Sequence, residues 1–238
     1  DEAHHLPANT FDQFINRVQP HYLLGLTATP ERSDGQSLMH YFDSRPDGTP
    51  AVSLRLWDAL DQQLLCPFEY YATADDTDMT MVEWGRGTEV AQLSNIVSGN
   101  AVRARAVMYA IEKYVADLNS LKGLAFCVSV AHANFMAEFF SRSGLPAIAL
   151  SGADSQDART AAVQKLSGGQ LKIICSCDVF NEGIDIPDAN AILLLRPTHS
   201  PVIFQQQIGR GLRLAKGKDV CLVLDFRSEE HTSELQSL

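Results

Sequence analysis

The sequence predicts an α/β protein built on parallel β-sheet with helices covering both faces. Three observations predict it. From residue 101 onward, apolar runs of four to seven residues alternate with amphipathic stretches of twelve to eighteen. Those runs are apolar throughout rather than at every second residue, the mark of strands buried on both faces. Helix stops, Ser143-Gly144 and Gly168-Gly169, punctuate the alternation.

Taken in order, Asp1-Glu2-Ala3-His4-His5 opens the chain. Adjacent carboxylates at the C-terminal end of a strand can hold a hydrated Mg²⁺ and orient a water. The plainer reading is a solvated acidic pair. Thr10 should cap a short helix whose Phe11, Phe14, Ile15 and Val18 recur at helical spacing and form a core face. Residues 22–26 read as a buried strand running into Thr27-Ala28-Thr29-Pro30, where Pro30 stops the pairing. Small hydroxyl residues at such a strand end lie where open α/β sheets bind ligands, although an ordinary turn has the same composition. A short helix over 37–42, a turn-rich loop over 45–50, a strand over 51–56, a helix over 57–65 and a strand over 67–73 follow. The acidic and glycine-bearing stretch at 74–98 is placed as the connector between two domains.

In the second half the expected order is helix 101–118, strand 123–129, helix 131–142, strand 147–150, helix 154–166, strand 171–176, strand 191–195, helix 201–212 and strand 219–225. Crossovers between parallel strands should be right-handed. Residues 227–238 break this texture and resemble one reading frame of a sequencing adapter, so they are expected to be a read-through tail without structural meaning. They carry three Glu and one Arg, which leaves the rest of the chain nearer −8 than −10.

The 238 residues are 45% hydrophobic, enough for one or two domains with cores of their own. No run of 18 apolar residues exists, so no membrane span is expected. The net charge of −10 argues against an indiscriminate nucleic-acid binder but leaves room for a local basic groove. Cys66, Cys127, Cys175, Cys177 and Cys221 form no C-x-x-C pair. They read as small core residues of a protein in a reducing compartment, the cytoplasm. The chain opens on Asp1 rather than Met, and an N-terminal portion is expected to be missing.

The most telling stretch is Gln206-Gln207-Ile208-Gly209-Arg210-Gly211-Leu212-Arg213. Two arginines three apart share one helix face. Gly209 and Gly211 are expected to keep bulk away from what those guanidiniums reach. A planar, permanently charged fork suits a phosphate and can steady charge during phosphoryl transfer. Taken alone, a basic helix on a solvated face explains the run equally simply.

Four stretches in fixed order change that balance: Asp1-Glu2-Ala3-His4, Thr27-Ala28-Thr29-Pro30, Gly183-Ile184-Asp185 and Gln206 to Arg213. Together they resemble the superfamily 2 DEAD/DEAH-box helicases. The wording of 178–187, of Leu195-Arg196-Pro197-Thr198 and of 209–213 is most similar to the restriction-enzyme-like branch. The resemblance implies two RecA-like domains, the first of them incomplete, with ATP and Mg²⁺ in the cleft and nucleic acid, double-stranded DNA for this branch, running across both. It implies Asp1 as Mg²⁺ ligand, Glu2 as activator of the attacking water, and His4 linked across the cleft to Gln206. Thr27, Ala28 and Thr29 would couple the two sites. Gly183, Asp185 and Gly209 would line the nucleotide, with Arg210 and Arg213 as arginine fingers. Ser151, Gly152 and Ser176 would lie at the nucleic-acid backbone. Residues 1–73 would then be the remainder of the first domain and 99–226 the second. The family's glycine-rich G-x-x-x-x-G-K-[ST] loop occurs nowhere in the 238 residues, so the chain by itself is expected to be inactive on ATP. Further domains are expected beyond the N-terminus and beyond the C-terminus. A non-catalytic binding or regulatory module with the same shape is the alternative, which the joint presence of Asp1, Glu2, Arg210 and Arg213 disfavours.

Overall fold

The computed structural model describes residues 3, 6–18, 20–27, 39–42, 49–73, 77, 82, 89–177, 186–197 and 200–226. Of the sequence expectations, Asp1, Glu2, His4, Ala28, Thr29, Gly183, Asp185 and the tail at 227–238 lie outside these residues. The chain divides into two compact units, 1–59 and 60–238.

In the first unit, helix α1 spans Asn9–Val18, so Thr10 sits inside it rather than capping it. Phe11, Phe14 and Val18 are more than half exposed, against the expectation of a core face. Among the described residues this unit has no β-strand of its own to cover that apolar stripe. The expected strand at 22–26 is extended chain without strand pairing, and its Tyr22 is 96% exposed. One backbone bond ties it down: Ala3 N–H donates to the Leu26 carbonyl at 2.9 Å. Gly25 is obligatory there, because a Cβ would run into the Phe42 ring. Phe42 follows a single 3-10 turn, Met39–Tyr41, and the Tyr41 hydroxyl donates to Asp12 at 2.6 Å. The stretch at 51–55 is exposed coil, not a strand, and helix α2 covers Leu56–Asp61.

The second unit is a six-stranded, wholly parallel sheet. Its strands are β1 (Phe68–Ala72), β2 (Gly123–Phe126), β3 (Ala147–Leu150), β4 (Ile173–Ser176), β5 (Ala191–Leu194) and β6 (Cys221–Asp225). They lie in the order β1-β6-β5-β2-β4-β3. The boundary expected at 74–98 is corrected by β1. This strand was assigned to the first domain, yet it pairs in register with β6, Phe68 opposite Cys221 and Ala72 opposite Asp225. The second sheet thus begins before the expected connector, and α3 (Glu89–Val97) lies within the second unit.

Helices α4 (Ala101–Tyr114) and α5 (Val130–Arg142) cover one face of the sheet. There Val107, Ile111, Met136 and Phe140 close over Ala125, Cys175, Leu193 and Leu224, all nearly fully buried. Alternation along each strand sends Ile192 and Cys221 to the other face. That face carries α7 (Pro201–Gly211) and, by the right-handed sense of its crossover, α6 (Gln156–Ser167). Helices α4, α5, α6 and α7 each start on a side-chain cap: Asn100, Ser129, Ser155 and Ser200 accept from the backbone N–H three residues on.

Candidate functional site

With every strand parallel, the residues leaving β2, β3, β4 and β5 emerge at one edge of the sheet. This is the edge where open α/β sheets bind ligands. Ser129, Ser151-Gly152, Cys177 and Arg196 stand there in turn.

Helix α7 brings the arginine run to the same unit. Its buried side is Gln207, Ile208, Gly211 and Leu212. At 3.6 residues per turn, Gln206, Gly209 and Arg210 fall on the opposite side, whereas Arg213 lies two residues past the end of the helix, which corrects the expectation that both arginines share one helix face. Gln206 and Arg210 are half-buried and Arg213 is exposed. Gln206, Gly209 and Arg210 are therefore one stripe on the helix, with Arg213 on the exit that follows it.

The two glycines do different jobs, which corrects the expectation that both clear space beside the arginines. A Cβ at Gly211 would lie 2.6 Å from Cys221 Sγ and from Ile192 Cγ1, so this glycine lets α7 lie directly on β5 and β6. A Cβ at Gly209 would meet nothing within 4 Å. Gly209 alone leaves open space next to Arg210.

The C-terminal end of α7 is held by two residues. Cys66 N–H donates to the Leu212 carbonyl at 2.7 Å. The Lys218 ammonium donates to the carbonyls of Gly211 at 2.6 Å, Arg213 at 2.9 Å and Pro187 at 2.9 Å. Gly217, at φ +79°, turns the chain so that Lys218 points back to the helix. Burial pushes the Lys218 ammonium below its ordinary pKa. Sequence reasoning missed Lys218, whose only local signal is a glycine-lysine pair just beyond a helix end.

At the far side of the sheet edge, Ser151 N–H and Oγ both donate to Asp154, at 2.7 and 2.9 Å. These bonds, the backbone one first, hold the Asp154 carboxyl below the usual carboxylate range. Arg159 donates to the carbonyls of Ser151 and Gly152, fixing the loop from behind. Beside it a cleft of about 230 Å³ is lined by Val130, Ala133 and Asn134 of α5 and by Leu150, Ser151 and Asp154. The first turn of α5, capped by Ser129, is a functional candidate that sequence reasoning passed over; its signal was a serine between an apolar strand and a helix. Ser176 is only 2% exposed, so its hydroxyl lies under the surface rather than on it. Ser151 is half-buried and Gly152 exposed, so these two are the accessible members of that group.

Beneath this edge, Arg103 of α4 is buried and donates to the carbonyls of Leu195 at 3.1 Å and Phe226 at 3.0 Å. It thereby clasps the ends of β5 and β6. His132 is buried nearby and accepts from Val128 N–H at 3.2 Å. Burial, reinforced by the Arg103 charge, lowers the His132 pKa to about 3. In the first unit, the Ala3–Leu26 bond sets Ala3 beside the segment that leads into Thr27, which is half-buried. Among the described residues, no group of three or more His, Cys, Asp or Glu side chains is placed to hold a metal ion. No helix among them is long and apolar enough to cross a membrane. All five cysteines are free and buried.

Comparison with known proteins agrees with this architecture. Residues 106–215 match the family model of the helicase conserved C-terminal domain. Residues 1–32 match that of the type III restriction enzyme res subunit. The chain is 28% identical over 234 residues to IRC3 of Saccharomyces cerevisiae, named as an ATP-dependent helicase, covering 95% of this chain and 33% of that one. It is 24% identical over 255 residues to the DNA 3'-5' translocase XPB2 of Sulfurisphaera tokodaii, covering 94% and 56%. Its fold is similar to a fragment of a type I restriction enzyme HsdR subunit from Vibrio vulnificus, at TM-score 0.69 and 19% identity over 91% of this chain and 42% of that one. The chain spans about a third to a half of the length of the first curated relatives it matches, from 33% to 47%. The ordered motifs, the parallel sheet carrying the arginine helix, and two family models that fall on the matching stretches agree: the chain is similar to superfamily 2 helicases, and residues 106–215 match their conserved C-terminal domain.

Proposed function

We propose that the chain is the part of an ATP-driven helicase or translocase that carries the arginine side of the ATP site and one lobe of a nucleic-acid track. The single observation that carries this reading is the α7 stripe. Gln206, Gly209 and Arg210 share one side of a helix whose other side is locked to the sheet, and Arg213 follows at its exit. Two guanidiniums and an open space at Gly209 fit the charge and size of a triphosphate.

In this reading the chain forms two RecA-like lobes. Asp1 and Glu2 belong to the first lobe; Glu2 orients the attacking water, and Asp1 would hold Mg²⁺, which supplies charge neutralisation at the phosphates. Gly183 and Asp185 flank the nucleotide. Arg210 and Arg213 steady the charge that develops on the transferred phosphoryl group, a contribution worth ~10³–10⁵ in rate when the finger is in place. His4 and Gln206 report the nucleotide state across the cleft, and Thr27, Ala28 and Thr29 pass it to the nucleic-acid side. Ser151, Gly152 and the first turn of α5 offer backbone N–H and hydroxyl groups to phosphates of the track. Ser176 supports that surface from below. Double-stranded DNA is the proposed track and the cytoplasm the proposed compartment, in keeping with five free thiols.

The chain contains no G-x-x-x-x-G-K-[ST] loop of its own, so we expect turnover only when one is supplied. ATP hydrolysis measured on the 238-residue chain, and on the protein read from the complete frame, each with and without duplex DNA, tests the proposal. DNA-stimulated turnover confined to the longer protein supports it. Absence of nucleotide binding and of DNA stimulation in the longer protein overturns it in favour of a non-catalytic module.

A further inference from the structure

Lys218 stands outside every motif of the family resemblance, yet it touches two of the stretches that the motifs single out. Its three donors go to three carbonyls. Two of these, Gly211 and Arg213, are the last turn and exit of the arginine helix. The third, Pro187, ends the stretch that contains Gly183 and Asp185. An ammonium has three hydrogens and no acceptor, so this side chain is saturated by the arrangement. A positive charge at the C-terminal end of α7 also complements the carbonyls that the helix leaves without intrahelical partners.

We propose that Lys218 is a positioning residue that couples the nucleotide-flanking stretch ending at Pro187 to the arginine stripe of α7. Pro187 and Gly211 lie 24 residues apart in sequence, and the Lys218 ammonium bonds to both. A shift of the Pro187 carbonyl pulls the ammonium, and the ammonium pulls the carbonyls of Gly211 and Arg213, which flank Leu212 beside Arg210. Gly217 and the Lys218 N–H to Ala215 carbonyl bond at 3.2 Å keep the turn that carries this side chain short and fixed. Cys66, Cys221 and Asp188 are the titratable neighbours of the ammonium; both cysteines are buried, and burial raises their thiols, which keeps them neutral beside it. The coupling role rests on the reading of 183–185 and Arg210 as nucleotide-facing, whereas the physical link does not.

The test uses the 238-residue chain without nucleotide, so that a failure of the motor reading leaves it intact. Side-chain Nε–H signals of Arg210 and Arg213 and backbone N–H signals of Ile186, Asp188 and Ala189 are followed by NMR in the wild type, Lys218→Met and Lys218→Arg. In Lys218→Met both sets should shift together, and Lys218→Arg should return both towards wild type. A lysine that merely caps the helix would move the arginine set alone, with 186–189 unchanged, and that result overturns the proposal, as does no shift in either set. If Lys218→Met fails to fold, Lys218→Gln, which keeps two donors on a shorter stem, replaces it with the same two readings.

Discussion

The Tyr70 hydroxyl donates to the Asp225 carboxylate at 2.5 Å, across 155 residues of sequence. It ties the first strand of the second unit to the last. The Tyr70 ring also meets Phe204 of α7 edge-on, with centroids 6.4 Å apart. Tyr71, the next residue, turns to the other face and stacks on Tyr114 at 4.1 Å. A hydrogen bond to a charged acceptor contributes about 1.5–3 kcal/mol, so Tyr70→Phe should lower stability by roughly that amount. Tyr71→Phe, which loses only an exposed bond to Glu69, should cost well under about 1 kcal/mol. Urea unfolding of the two variants, followed by circular dichroism, checks the contrast. Equal losses would mean that the strand, not this bond, matters.

Gly211 and Gly209 make a second contrast within two residues. Gly211→Ala puts a methyl 2.6 Å from Cys221 Sγ and Ile192 Cγ1. Overpacking of this kind costs about 1–3 kcal/mol and should tilt α7 off the sheet. Gly209→Ala meets nothing, and replacing a helical glycine by alanine gains up to about 1 kcal/mol. The expected result is a stability gain at 209 and a loss at 211, read from thermal midpoints. In the DNA-stimulated longer protein, Gly209→Ala should nevertheless weaken ATP binding, because the methyl fills the space beside Arg210. A Gly209→Ala protein that binds ATP as well as wild type would remove that space from the nucleotide site.

His132 gives the stability a pH dependence of definite sign. Its folded pKa of about 3 lies below the ordinary 6.5, mainly because it is buried and secondly because Arg103 is near. The unfolded chain therefore takes up the proton first as pH falls. The stability associated with the neutral imidazole is complete above pH 6.5 and is lost progressively towards pH 3. The slope is at most about 1.4 kcal/mol per pH unit for one proton. His132→Asn keeps an acceptor for Val128 N–H and removes the titration. Between pH 6 and 5, above the range where ordinary carboxylates protonate, its unfolding free energy should be flatter than that of wild type. Parallel slopes would show that the imidazole is protonated in the folded protein.

The second half was legible in sequence for a physical reason. Strands buried on both faces are apolar at every position, and β5, read from sequence as 191–195, spans Ala191–Leu194 with all four residues buried. The first half misled for the complementary reason. Phe11, Phe14, Tyr22 and Leu24 carry the pattern of a face that needs covering, and pattern does not say whether the cover is among the described residues. The pairing of β1 with β6 joins 68–72 to 221–225, a non-local choice that no local signal encodes, so the strand was assigned to the wrong unit. In the candidate site the arginines stood out as candidates because their residue type and spacing carry the chemistry of phosphate contact. Lys218 was not, because its role is set by carbonyls at 187, 211 and 213 that only folding brings together.

Arg210 and Arg213 lie three residues apart but in different environments, and this separates their expected roles. Arg210 lies within the helix and is half-buried; Arg213 lies beyond its last residue, Gly211, and is exposed. A guanidinium held by a helix in a partly dry setting keeps its orientation and feels less screening than one on the exit loop. In the longer, DNA-stimulated protein, Arg210→Ala should therefore lower the rate of hydrolysis by ~10³ or more, at the scale of a lost arginine finger. Arg210→Lys should recover little, because a point charge does not replace the planar fork. Arg213→Ala should act mainly on KM for ATP, and its effect should grow smaller at high salt. Single-turnover and steady-state ATPase assays at two ionic strengths distinguish the two. If Arg213→Ala removes turnover while Arg210→Ala spares it, the finger is the exposed residue and the burial argument fails.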